Sequence, residues 1–262
     1  MKLSTQQIEQ FHHDGYLVVK DLLPLDWVRG VKEELAGAHE IAYEAEGRTG
    51  KSPWGPGTNC SWEPHLDPEA APRIEQLMGT EIVSPSTRRI IHSDRIADLL
   101  PQLMGPDAQI VMFHSKALMK APRTNGYFPW HQDFSYWHQV SVAPVQVNCA
   151  FAVDPQTAEN GCLKYVPGSH RGGFIPHTHF TDVKSFSIGL SRDPNAYEAI
   201  PVPYEPGDVI FFGALVIHGS EINRTGESAT FNTIAYDVRG NATDREYPLV
   251  VPRTRAEAPL AR

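Results

Sequence analysis

From residue 108 onward the chain is a succession of short β-prone runs, at 108–114, 117–120, 146–153, 162–166, 209–212, 216–218 and 230–238. Turn chemistry separates them, including Asn160-Gly161, Pro167-Gly168 and Pro206-Gly207-Asp208. A single sheet of such strands leaves an apolar face open to water, so the pattern predicts sheet packed on sheet. The expected fold is a mostly β sandwich or jelly roll, buttressed on one face by α-helices.

Those helices are expected in the first part of the chain. A polar turn at Ser4-Thr5 leads into an apolar pair, Ile8 and Phe11, and Asp14-Gly15 ends the helix before a short strand at 16–19. A second helix is predicted over 26–39, with Val28, Val31, Leu35 and Ala38 on one face. A third is predicted over 94–104, with Ser93 as N-cap and Gly105 as stop. Residues 46–68, rich in Gly and Pro around Trp54 and Trp62, have no period and predict a long loop. With no repeat and no linker, a single domain spans 1–262: a helical buttress and loop over 1–107 and a jelly-roll core over 108–240.

Composition narrows the function. The chain has 262 residues, 41% hydrophobic and 21% charged, enough apolar content for a packed core. A net charge of -8 without a basic run argues against nucleic acid or a membrane as partner. The apolar runs are far shorter than a membrane helix, and the first ten residues are too polar for a secretory signal, so a cytoplasmic location is expected. Cys60, Cys149 and Cys162 form no C-x-x-C pair, so any metal must be held by His and carboxylate. The leading class is an enzyme acting on a small molecule.

The chemistry concentrates in the segment 127–137, Tyr-Phe-Pro-Trp-His-Gln-Asp-Phe-Ser-Tyr-Trp. His131 and Asp133, two apart at an expected strand end, share a face. His218, closing the apolar run before Gly219-Ser220, offers a third ligand. Two imidazoles and a carboxylate on one face suit ferrous iron and leave positions open for substrates and dioxygen. His-x-Asp alone arises by chance, and it is the aromatic setting and the distant second histidine that give it weight. His177 and His179 form another short-spaced pair, read as loop residues. Closed zinc sites hold four protein ligands, one more than is found here.

Together these residues resemble the phytanoyl-CoA dioxygenase family of iron(II)- and 2-oxoglutarate-dependent oxygenases. The resemblance rests on Gln10-Phe11-His12-His13-Asp14-Gly15-Tyr16-Leu17, Pro129-Trp130-His131-Gln132-Asp133, and Glu159-Asn160-Gly161-Cys162-Leu163. It continues through Val166-Pro167-Gly168-Ser169-His170-Arg171, Pro206-Gly207-Asp208-Val209 and His218-Gly219-Ser220 with Asn223. It implies a double-stranded β-helix, the cupin-like jelly roll, with Fe(II) on His131, Asp133 and His218 and with 2-oxoglutarate and O2 as co-substrates. The expected reaction is hydroxylation or a related C–H oxidation of a small organic molecule, secondary metabolites included. The intact Asp133 argues against a halogenase.

One departure matters. The resemblance implies an arginine about eleven residues after the distal histidine, gripping the far carboxylate of 2-oxoglutarate, and that position is Ala229. Replacement groups include Lys116, Lys120, Arg224 and Arg239 as cations, and Ser220, Asn223, Ser228, Thr230 and Asn232 as neutral donors. Of these, Lys116, Lys120, Ser220, Asn223 and Thr230 form the expected cosubstrate set. An iron oxygenase independent of 2-oxoglutarate and a non-catalytic jelly-roll binding module are the alternatives. Trp54, Trp62, Phe128, Phe134, Tyr136 and Trp137 are expected to wall the substrate pocket.

Overall fold

In the computed structural model, which describes residues 1–49, 52–62, 73–123, 126–180 and 188–251, two antiparallel sheets enclose a common interior. The strands are β1 (Tyr16–Val19), β2 (Asn59–Trp62), β3 (Ile74–Met78), β4 (Ile110–Lys120), β5 (Phe128–His131), β6 (Val147–Ala152) and β7 (Leu163–Tyr165). They continue with β8 (Thr178–His179), β9 (Ile188–Gly189), β10 (Ile200–Pro201), β11 (Val209–Gly213), β12 (His218–Ser220), β13 (Ala229–Val238) and β14 (Leu249–Val251). The helices are α1 (Thr5–Asp14), α2 (Leu25–Thr49), α3 (Thr80–Val83), α4 (Pro85–Ile91), α5 (Asp94–Ala97), α6 (Leu100–Met104) and α7 (Phe134–Trp137). The main sheet runs β1-β11-β6-β13-β4-β3-β2, with β14 also on β4, and the second runs β10-β7-β12-β5. This is the expected jelly roll with flanking helices.

The main sheet is buried on both faces. Val147, Cys149, Phe151, Ile234 and Tyr236 join a core with Val28, Val31 and Leu35 of α2, while Ala150, Ala152 and Phe231 meet Phe128, Leu163 and Tyr165 of the second sheet. The central strands β6 and β13 are therefore buried along nearly their whole length, and their sequences lack the alternation of a strand with one face in water. No helix among the described residues is long and apolar enough to cross a membrane.

The helix-side expectations need four corrections. α1 is as read, with a Ser4/Gln7 capping box and a left-handed Gly15. α2 runs past residue 39 because residues 40–45 are good helix formers and Ala42 extends its buried stripe. The predicted 46–68 loop thus begins inside α2 and contains β2; its residues 50–51 and 63–68 lie outside the described ones. The predicted 94–104 helix is two helices, because the Pro101 ring would collide with the carbonyl four residues back, at Ala97, where α5 ends. β3 and α4 are further elements that the sequence does not announce: β3 joins β4 to the edge strand β2, and α4 packs on α2 and α3.

The turn into β11 is fixed by Asp208, nearly fully buried. Its Oδ2 accepts from Lys20 Nζ at 2.7 Å and the Glu205 amide at 2.9 Å, and its Oδ1 from the Asp21 amide at 3.0 Å. Burial would raise this carboxyl, but these donors outweigh it and hold it below its usual value. A depressed carboxyl stabilises the fold above its unfolded pKa and loses that contribution as pH falls through the folded one. Asp208→Asn turns a donor toward two donors. It is expected to cost about 1–3 kcal/mol in urea unfolding at pH 7, with the gap to wild type narrowing below about pH 4.

Candidate metal centre

β5 and β12 are neighbours in the second sheet, and their register sets His131 directly opposite His218. Each imidazole is oriented by a backbone carbonyl two residues earlier: His131 Nδ1 lies 2.7 Å from Pro129 O and His218 Nδ1 lies 3.0 Å from Val216 O. A carbonyl only accepts, so each Nδ1 carries a proton and each Nε2 is the ring nitrogen turned toward Asp133. The rings sit 4.2 Å apart between centroids, and their Nε2 atoms lie 3.6 and 3.7 Å from the two carboxylate oxygens of Asp133. One ligand atom from each residue falls within 4.8 Å of the others, and all three residues are buried.

Strand alternation does not bring Asp133 to this point. β5 ends at His131, and Asp133 has helical dihedrals (φ -59°, ψ -29°) at the start of α7. The turn is held by the fully buried Gln132. Its amide donates to Gly173 O and Leu215 O at 2.9 and 2.8 Å and its carbonyl accepts from the Ile175 amide at 2.8 Å, while Phe134 N donates to Ala214 O.

The carboxylate is incompletely satisfied. Asp133 Oδ2 accepts from Asn148 Nδ2 at 2.9 Å, but the buried Oδ1 has no partner. Burial would raise the Asp133 carboxyl, yet Lys116 and the two histidines more than offset it and hold the carboxyl well below the usual range. Burial pushes His218 down to about 3, keeping it neutral. An ionised carboxylate with a bare oxygen, facing two imidazole Nε2 atoms, is the donor set of a divalent cation bound on one face. Asn148 is a positioning residue that the sequence reading did not single out; its signal is an amide within a fully buried strand. Asn148→Ala is expected to weaken metal binding about 10–100-fold in a calorimetric titration.

A cavity of about 530 Å³ opens from the triad. Of the expected wall residues, Phe128, Tyr136 and Trp137 line it. Trp54 and Trp62 instead pack on the helix-side core, and Phe134 sits in an outer cluster with its ring 5.4 Å from that of Phe174. Ser61, Gln76 and His114 line the cavity without having been foreseen. His114 is aimed there by a β-bulge opposite Ala235 and Tyr236, which leaves Phe113 as the extra residue, and its buried Nδ1 has no partner.

The cosubstrate candidates separate sharply. Lys116 lines the cavity, and Lys120 and Ser220 meet each other in the interior at 2.7 Å. Asn223 is a turn brace, donating to Lys120 O, Ala121 O and Glu227 O, and Thr230 lies on the α2 side with Ala36 and Ser228. Asn232 bonds Thr80 and Thr87 on the helix side, while Arg224 pairs with Glu221 and Arg239 reaches Gln109. His177 accepts the Gln132 amide at 2.8 Å and His179 is exposed, so that pair holds no metal.

A jelly roll carrying two histidines and one carboxylate on a single face beside an open cavity defines a non-haem iron oxygenase. The family model of phytanoyl-CoA dioxygenase (PhyH) matches residues 11–231, and the chain belongs to that family of iron(II)- and 2-oxoglutarate-dependent dioxygenases. It is 25% identical to the ectoine dioxygenase of Bordetella parapertussis over 84% of this chain and 71% of that protein. It is 30% identical to dioxygenase lolE1 of Epichloe uncinata over 90% of this chain and 84% of that one. In fold it is similar to EctD from S. alaskensis, solved with 2-oxoglutarate and 5-hydroxyectoine: the TM-score is 0.70 at 21% identity, over 96% of this chain and 82% of that one.

Proposed function

We propose that this dioxygenase inserts oxygen into a C–H bond of a small polar organic molecule, using 2-oxoglutarate and O2, with iron(II) held by His131, Asp133 and His218. The observation that carries this reading is the convergence of two oriented Nε2 atoms on a buried carboxylate whose Oδ1 is unpartnered. When bound, ferrous iron supplies the reduction of O2 coupled to conversion of 2-oxoglutarate to succinate and CO2, the second oxygen atom passing to the substrate.

The chain's own residues position and exclude water. Trp137, Tyr136 and Phe212 form apolar walls, while Lys116, His114 and Gln76 present polar groups to the same cavity. A lysine ammonium there supports a substrate with an anionic group, and 530 Å³ supports a metabolite-sized one. The ectoine dioxygenases among the relatives fit this size class.

The missing arginine favours an oxygenase that dispenses with 2-oxoglutarate, and one assay decides between the two. Apo protein loaded anaerobically with ferrous iron is exposed to O2 and 2-oxoglutarate, and succinate is measured. Iron-dependent succinate is the expected result. O2 consumption with added candidate substrates but no succinate would establish the other reading.

A further inference from the structure

The wall of the cavity on the β2–β3 side carries hydrogen-bonding groups that the protein itself leaves unused. Cross-strand register sets one row across the main sheet: Phe231 on β13, Leu118 on β4, Gln76 on β3 and Ser61 on β2. Directly opposed residues share a face, and all four line the cavity. Their neighbours Cys60, Leu77 and Ala117 turn the other way, into the helix-side core. Among the described residues, neither the Gln76 amide nor the Ser61 hydroxyl has a hydrogen-bond partner. Polar groups that line a cavity and are not used by the fold are the groups that orient a ligand.

This pair stands at the end of the cavity remote from Asp133. Asn148 on β6 holds that carboxylate, and the sheet order from there is β6-β13-β4-β3-β2. Gln76 is therefore three strand spacings away, about 14 Å between backbones, and Ser61 is one spacing further. Lys116 lies between the two ends: Met78 is its partner across the β3–β4 ladder, and Gln76 is its diagonal neighbour, about 7 Å away. The hairpin is fixed in place at its base. Gly79, just after β3, donates its amide to Ser115 O at 2.9 Å, and at φ +75° it passes so close to the turn before β2 that a Cβ would come within 2.3 Å of Gly57 O.

What the pair can read follows from its chemistry. A side-chain amide both donates and accepts, and so does a hydroxyl. A carboxylate set against Gln76 would leave two acceptors opposed, and an ammonium would leave two donors opposed. A neutral group with both functions satisfies each of them, and a substrate amide meets Gln76 in two antiparallel hydrogen bonds with Ser61 supplying a third. We infer that Gln76 and Ser61 form a substrate subsite for an amide, and that the substrate is an amide-bearing carboxylic acid whose carboxylate pairs with Lys116. The inference rests on the oxygenase reading above, which places the substrate in this cavity. The jelly roll then supplies the metal centre, and the β2–β3 hairpin appended to its sheet supplies the selectivity.

The test is calorimetric binding to protein loaded with Mn(II) and 2-oxoglutarate in the absence of O2. The probes are the straight-chain monoamides of the dicarboxylic acids from succinic to suberic, and the matching monomethyl esters, which keep the carboxylate and the carbonyl but lack the N–H. At the best-fitting length, wild type is expected to bind the amide about 10-fold more tightly than the ester. Gln76→Leu should remove that preference by weakening the amide alone, with the ester affinity retained as the sign of an intact cavity. Ser61→Ala should reduce the preference, and Lys116→Met should weaken amide and ester alike. Equal binding of amide and ester by wild type at every length, binding of neither, a preference that survives Gln76→Leu, or undiminished affinities in Lys116→Met overturns the assignment. The oxygenase reading fails separately, by the absence of iron-dependent succinate in the assay above, which involves neither Gln76 nor Ser61.

Discussion

Asp133→Ala is expected to leave a folded chain that no divalent cation can stabilise. In wild type a metal that binds only the native state adds about 2.7 kcal/mol at a concentration 100 times its dissociation constant. That gain requires the carboxylate, because two neutral imidazoles alone neither neutralise the ion nor complete the face. In the absence of metal the substitution removes an oxygen that has no partner and takes an acceptor from Asn148. Those two effects oppose each other, so apo stability should shift by roughly 1 kcal/mol. Urea unfolding with and without Mn(II) reads both numbers. A metal-dependent gain preserved in Asp133→Ala would remove the carboxylate from the site.

Gly161→Ala should be among the most damaging single-methyl additions in the chain. Gly161 has φ +77°, and a Cβ would sit 2.2 Å from Glu221 O, a backbone atom that cannot swing away. The turn before β7 would have to separate from the segment after β12, taking Gly161 O and Glu221 O away from Lys120. The left-handed strain and this backbone collision together are expected to cost about 3 kcal/mol or more, read as a lowered urea midpoint. A variant as stable as wild type would mean that the two loops are not locked together as described.

The metal ligands were legible in the sequence because their chemistry is rare and their setting specific: Pro-Trp-His-Gln-Asp in an aromatic segment, and a second histidine closing an apolar run. What the sequence did not carry was the geometry that joins them. Gln132 reads as a spacer between two ligands, yet its side chain pins the turn that brings Asp133 inward. Asn148 is one polar residue in an apolar strand, and only the β6 register shows which carboxylate it meets. Trp54 and Trp62 read as pocket residues because aromatic residues in a Gly/Pro-rich stretch suggest a binding loop. Ser61 reaches the cavity, while Trp62 joins the helix-side core. The double burial of β6 and β13 hid the alternation that would have sided their residues, and the pairing of Ala229 with Lys120 depends on a ladder between distant segments.

The metal centre is tested most directly by diffraction at the iron absorption edge from crystals prepared anaerobically with ferrous iron. The expected result is one anomalous peak per chain, in the space between His131 Nε2, His218 Nε2 and the Asp133 carboxylate, and absent from Asp133→Ala crystals. A peak at other residues, or none while these three side chains remain in place, would contradict the assignment.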